Sequence, residues 1–335
     1  MSIHLAPMEG LVDPIMRLLL TEIGGLDECV TEFVRVTDAL LPLKVYRRIC
    51  PELDAGFRTP AGTPVHVQFL GSNPDSLAAN AARIARQGAP TIDLNFGCPA
   101  KTVNRHRGGA VLLEEPETLY RLVQAVRSAV PETVPVTAKM RLGYTDKAQS
   151  LACAAALEAG GASRITVHAR TKTDGYRPPA YWPWIARVRE QVRIPVVANG
   201  EVWTLEDYHR CREESGCDTV MLGRGRVARP DLARQIRQAQ AGESVHAMTW
   251  SELYPLLDRF YAHLLQHFER KHMPGRLKQW LTYLRLSYPE ADRLWSRVRR
   301  EKDPVVLAGL LAESADQCGD QARQRAADLI AGAPV

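Results

Sequence analysis

Nowhere in its 335 residues does the chain hold an apolar run long enough to cross a bilayer, so no transmembrane helix is expected. A secretory leader is not expected either, because Glu9, Asp13 and Pro14 interrupt the first apolar stretch and no basic segment leads into it. Seven cysteines, at positions 29, 50, 98, 153, 211, 217 and 318, form no CxxC pair and show no histidine spacing typical of zinc. Neither a disulfide nor a structural metal is expected, and the expected compartment is the cytosol. Both common nucleotide signatures are missing too, the GxxxxGK[ST] loop and a GxGxxG turn after a strand, which disfavours an ATP site and a dinucleotide-binding domain. There is no low-complexity tract and no acidic excess, the net charge being +5.

What is present is an ordinary globular composition, 45% hydrophobic and 24% charged, long enough for a large domain and an appendage. Eight short segments rich in Val, Ile and Thr recur, at 3–8, 29–36, 65–70, 91–96, 136–140, 164–168, 196–198 and 219–222. Helical spacing fills the stretches between many of them, at 74–87, 116–130, 149–159, 181–192 and 205–214. Eight strands alternating with helices predict an α/β fold of the closed (β/α)8 barrel type, a TIM barrel over residues 1–240. After Asp231 the alternation stops, and 245–310 reads as a separate all-α helical domain, with 311–335 as a tail or a final helix. Between Arg270 and Arg300 nine Lys or Arg stand against Glu290 and Asp292, a one-sided cluster that suits a polyanion.

A barrel binds its ligand at the carboxyl ends of its strands, so the residues ending each segment are the candidates. They are Ala6-Pro7-Met8-Glu9-Gly10, Gln68, Asn95 with Cys98, Lys139-Met140-Arg141, His168-Ala169-Arg170-Thr171, Asn199-Gly200-Glu201 and Gly223-Arg224-Gly225. Cys98 is open to two readings, a reactive thiol at a strand exit or a small buried hydrophobe. Five cations, Lys139, Arg141, His168, Arg170 and Arg224, converge on one mouth and call for an anionic ligand. Glycines at 200, 223 and 225, after strands seven and eight, suit a phosphate held by backbone N–H groups. Lys139 is placed to stabilise the anion of a reduced flavin. Tyr176, Tyr181, Trp182 and Trp184 either stack a base or plug the barrel top.

These motifs in this order resemble the tRNA-dihydrouridine synthase family over roughly residues 3 to 300: Ala6-Pro7-Met8, Asp93-Leu94-Asn95-Phe96-Gly97-Cys98-Pro99, Gly109-Ala110-Val111-Leu112-Leu113, Lys139-Met140-Arg141-Leu142-Gly143, His168-Ala169-Arg170-Thr171, Asn199-Gly200 and Gly223-Arg224-Gly225. The resemblance implies FMN held by Ala6, Pro7, Met8, Gln68, Lys139, His168, Asn199, Gly200, Glu201, Gly223 and Arg224, with NADPH as reductant and Cys98 as proton donor to C5 of a uracil. It implies a tRNA partner, with Asn95 reading the extruded base and the basic helices holding the backbone. Glu201 departs from the Asp that many relatives carry after Asn-Gly. The short Arg-rich C-terminal region resembles the C subfamily, which acts on the D-loop uridine at position 16, and implies that Arg35, Tyr176, Lys271, Arg276, Lys278 and Arg297 face tRNA. A monomer is expected, with no DNA and no membrane partner. Two other readings compete: a flavin barrel acting on a small molecule, which leaves the basic helices unexplained, and a non-catalytic tRNA-binding protein, which leaves Cys98 and Lys139 unexplained.

Overall fold

The strands are short runs of Val, Ile, Leu and Thr covered on both faces, the pattern a parallel sheet takes when helices surround it. A computed structural model describes residues 1–314. In it β1 (Ser2–Leu5), β2 (Glu28–Arg35), β3 (Val65–Leu70), β4 (Ile92–Phe96), β5 (Val136–Arg141), β6 (Arg164–His168), β7 (Val196–Asn199) and β8 (Thr219–Leu222) pair in chain order, all parallel. β1 pairs with both β2 and β8, which closes the sheet into the expected barrel. Ala6, Val30, Val197 and Met221 make one buried apolar cluster of its core.

Helices follow the strands: α1 (Pro14–Ile23), α2 (Leu43–Ile49), α3 (Pro74–Ala85), α4 (Lys101–Arg105), α5 (Pro116–Ala129), α6 (Ser150–Ala159), α7 (Trp182–Gln191), α8 (Leu205–Ser215), α9 (Arg224–Ala228) and α10 (Leu232–Gln240). Their ends are written in the sequence. Asn73 caps α3 through Ser76 N–H ahead of Pro74, Thr204 and Asp207 form a capping box on α8, and Gly216 ends α8 at φ +65°. The first strand stops at Leu5 rather than Met8, since Pro7 has no N–H to donate. The basic stretch after β4 begins as the one-turn helix α4.

After β8 the described chain is all helix, continuing with α11 (Trp250–His267), α12 (Met273–Leu284), α13 (Pro289–Val298) and α14 (Pro304–Ser314). Thr249 and Glu252 box the start of α11, and Pro274, Pro289 and Pro304 sit in the first turns of the next three helices, where a missing N–H costs nothing. The chain divides into two compact units, Met1–Arg17 with Gly25–Gly223, and Leu18–Gly24 with the described residues from Arg224 onward. In the second, Phe260 of α11 and Trp280 of α12 meet edge to face at 4.8 Å, and Leu253, Leu257, Leu281, Leu284, Leu294 and Leu307 are buried. No described helix is long and apolar enough to cross a membrane.

Candidate active site

β4 sets the position of Cys98, and almost every polar backbone atom around it is held. Asn95 Oδ1 accepts from the N–H groups of both Gly97 and Cys98, at 2.9 Å each. The Cys98 carbonyl accepts from Asn104 Nδ2 at 2.9 Å and from Ala110 N–H at 3.1 Å, and the Gly97 carbonyl accepts from Arg141 Nε at 2.8 Å. Gly109 passes so close that a Cβ there would stand 2.8 Å from the Cys98 oxygen and 2.9 Å from its Cβ, at a left-handed φ of +68°. Of the six described cysteines Cys98 alone is half-exposed; the other five are buried, and Cys318 lies outside the described residues. Burial pushes the Cys98 thiol up; Glu9 adds to this, while a hydrogen bond from the Ala100 backbone and the charges of Arg141 and Arg35 work against it. The shift favours the thiol form at neutral pH.

The strand register lays the other candidates beside it. Asn95 faces Lys139, Arg141 faces His168, and His168 faces Asn199. Lys139 Nζ donates to Asn199 Oδ1 at 3.1 Å, and Asn199 Nδ2 donates to the Met221 carbonyl at 2.8 Å, so the amide can offer Lys139 only its oxygen. Burial first, and then Arg141, lower the Lys139 pKa to about 8, with Asp93 acting in the opposite direction. Gly200, at φ +120°, leaves room for His168, whose ring carbon would lie 3.0 Å from a Cβ there. Gly223 lies opposite Met8 and Ala6, where a Cβ would reach Met8 Sδ at 3.7 Å and Ala6 Cβ at 3.9 Å. Pro7 is half-buried beside them.

Two of the mouth cations are already engaged within the protein. Arg170, wholly buried, is salt-bridged to Glu201, which adopts a left-handed φ of +59°. Arg141 spends its guanidinium on the carbonyls of Gly97, Thr171 and Gly175. Tyr176 lies over Arg141 at 5.2 Å, near the His168 ring at 6.0 Å, and is 51% exposed. Tyr181 and Trp184 carry Lys147 on their faces, at 4.1 and 5.9 Å. Gln68 is fully buried and both ends of its amide are engaged, Oε1 by Asn95 and Nε2 by Asp93. Arg35 is exposed at the end of β2 and close enough to act on Cys98. Arg224 opens α9 directly after Gly223.

The remaining candidates belong to the helical unit. Lys271 pairs with Glu269 at 2.7 Å, Arg276 hydrogen-bonds Gln279, Lys278 donates to the Glu301 carbonyl, and Arg297 pairs with Glu313. Sequence reasoning gave Asp93 and Gly109 no role beyond their place in the motifs, and did not name Asn104. The signal for Asp93 was available, a carboxylate inside an otherwise apolar strand; Asn104 carried none.

The description of the family model that matches residues 4–314 is Dihydrouridine synthase. The chain is 60% identical over 314 residues to the tRNA-dihydrouridine(16) synthase of Aquipseudomonas alcaligenes, covering 94% of this chain and 100% of that one. It is 58% identical over 311 residues to the protein of the same name from Pseudomonas syringae pv. tomato, covering 93% and 98%. Two solved structures share the fold at low identity: a 2-naphthoyl-CoA reductase complexed with 2-naphthoyl-CoA (TM-score 0.54, 10% identity, 72% of this chain and 50% of that) and histamine dehydrogenase from Rhizobium sp. 4-9 (TM-score 0.52, 14%, 77% and 48%). On a family match that spans the barrel, the site strands and the described helices, the chain belongs to the dihydrouridine synthase family.

Proposed function

We propose that this protein reduces one uridine of tRNA, position 16 of the D-loop, to 5,6-dihydrouridine, with FMN as cofactor and NADPH as reductant. The observation that carries the reading is Cys98, a thiol kept protonated by burial and clamped through its backbone by Asn95, whose register partner on the next strand is Lys139. The position follows the name of the relatives at 58% and 60% identity.

The residues present fit a flavin. Lys139 is a desolvated cation whose hydrogen-bond partner is a neutral amide oxygen, and an anionic ring edge is what such a group lacks. Gly223 leaves an open approach beside Ala6, Pro7 and Met8, and His168, Asn199, Gly200 and Glu201 would hold the cofactor's ring and phosphate, with Arg224, next in sequence after Gly223, as a further phosphate candidate. When bound, FMN reduced by NADPH supplies a hydride to C6 of the uracil.

The chain's own residues do the rest. Cys98 gives its proton to C5 and is left as a thiolate, which is reprotonated from solvent because the side chain is half-exposed. Asn95 holds the Cys98 loop with its oxygen and keeps an N–H for a uracil carbonyl. Exposed Tyr176 offers an aromatic face to the extruded base, and Arg35 with Lys271, Arg276, Lys278 and Arg297 would meet the tRNA backbone. Dihydrouridine mapping of tRNA from cells lacking the protein tests substrate and position together. Position 16 should revert to uridine while the other dihydrouridines persist; an unchanged position 16 would remove the assignment.

A further inference from the structure

Asp93 is a carboxylate in the middle of a buried strand, and its surroundings give it a direction. It accepts from Thr137 Oγ1 at 2.6 Å and from Gln68 Nε2 at 2.7 Å. Gln68 Oε1 accepts from Asn95 Nδ2 at 2.7 Å, and Asn95 Oδ1 accepts the two backbone N–H groups at Gly97 and Cys98. Four links thus join a buried carboxylate to the backbone of the reactive loop.

The order of donors leaves no choice along the way. At the outer end two N–H groups need an acceptor, so Asn95 must present its oxygen there and its NH2 inward. Gln68 must then turn its oxygen outward and its NH2 inward, and the group at the inner end must accept. A carboxylate accepts at both oxygens whichever way it turns; an amide in that place could present a donor to Gln68 and reverse the chain. Gln68 is fully buried, so water cannot substitute for either partner.

We infer that Asp93 is a positioning residue of the reduction: through Gln68 and Asn95 it fixes which way two amides face, and so where the backbone of Cys98 holds the thiol. The inference rests on the reading of Cys98 as proton donor. Asp93 itself touches neither Cys98 nor the substrate; it acts at two removes, and a loop set askew by a fraction of an ångström loses the approach of thiol to C5.

The test is an exchange of donor and acceptor. Gln68→Glu sets a second carboxylate against Asp93 and breaks the chain. Adding Asp93→Asn restores it: the new amide donates to the new carboxylate, which still accepts from Asn95, and Thr137 donates to the amide oxygen. Two readouts follow on the flavin-loaded enzyme: single-turnover oxidation of the reduced protein by tRNA, and the pH profile of Cys98 alkylation by iodoacetamide, located by peptide mass mapping. Gln68→Glu is expected to slow turnover about 10- to 100-fold and shift the alkylation profile, and the double variant to return to within about threefold of wild type in both. A double variant as slow as Gln68→Glu, or a Gln68→Glu protein as fast as wild type, overturns the inference. Asp93→Leu, close in volume and unable to accept, is the second variant, and unchanged turnover and alkylation in it overturn the inference equally. Cys98→Ala run alongside separates the two ideas. Normal tRNA reduction there removes the proton-donor reading, whereas alkylation of the Gln68 and Asp93 variants still reports whether the chain sets the thiol.

Discussion

At Cys98 and Lys139 burial works in opposite senses on charge, and both effects serve a reduction. The thiol is pushed up and stays protonated; the ammonium is pulled down to about 8 and stays charged only below that. Cys98→Ala removes a donor at a half-exposed site and leaves little cavity, so fold and flavin content should persist while uridine reduction falls about 10²- to 10⁴-fold. Reduction of the flavin by NADPH, followed by absorbance, should be unchanged; turnover on tRNA at the wild-type rate would make Cys98 a packing residue. For Lys139 the pKa is depressed, so its cation is present below about 8 and lost above it. FMN affinity, titrated by fluorescence quenching, should weaken as pH rises through that value, and Lys139→Met should lower affinity and flatten the dependence. A pH-independent affinity in the wild type would take Lys139 out of the ring contact.

At the scale of elements, most of the barrel was readable and most of the clamp was not. Parallel strands covered on both faces carry unbroken apolar runs, so eight of them stood out, and their last residues named the mouth. The pairing of Arg170 with Glu201 and the links from Asp93 to Cys98 depend on register between strands, which no single segment encodes. α2 and α4, short and basic, have too few turns to show a periodicity and were not anticipated. Gly109 appeared in the motif, but its reason appears only in three dimensions: it starts the turn at Gly109–Glu114 where the chain crosses the Cys98 carbonyl. Gly109→Ala adds a left-handed strain and a contact near 2.8 Å to backbone, and should cost about 1–3 kcal/mol in urea denaturation. It should also change the alkylation rate of Cys98, because relief of the contact must move that loop. Unaltered stability and alkylation would mean that the turn shifts away freely.

The whole molecule carries two charge arrangements with separate consequences. At the amino ends of the barrel strands His4, His66 and Arg164 surround Glu28. Burial lowers the His66 pKa to about 4, with Glu28 opposing and Arg164 and His4 assisting. The depressed value means that the unfolded chain binds the proton first, so stability present above the ordinary histidine range is lost as pH falls through about 4, by about 3 kcal/mol in all. Denaturation midpoints should drop over that window, and His66→Gln should remove most of the slope; an equal slope in the variant would assign it to other groups. The helical unit holds the second arrangement. Arg285 pairs with Asp292 at 2.7 Å, Arg293 with Glu290 at 3.2 Å, and Arg297 with Glu313, whereas exposed Arg299 and Arg300 enter no ion pair among the described residues. A phosphate binding an unpaired arginine displaces condensed cations from the RNA, but one taking a paired arginine must first free it from a carboxylate. Alanine at Arg299 or Arg300 should therefore lower the log-log salt slope of tRNA binding by about 0.7 to 0.9 each, with smaller changes at Arg293 and Arg297. Arg86 and Arg121, exposed on the barrel unit and bonded only to neighbours within their own helices, are the controls and should leave the slope unchanged. Equal losses from both sets would make binding a matter of total charge and leave the basic helices without a part in it.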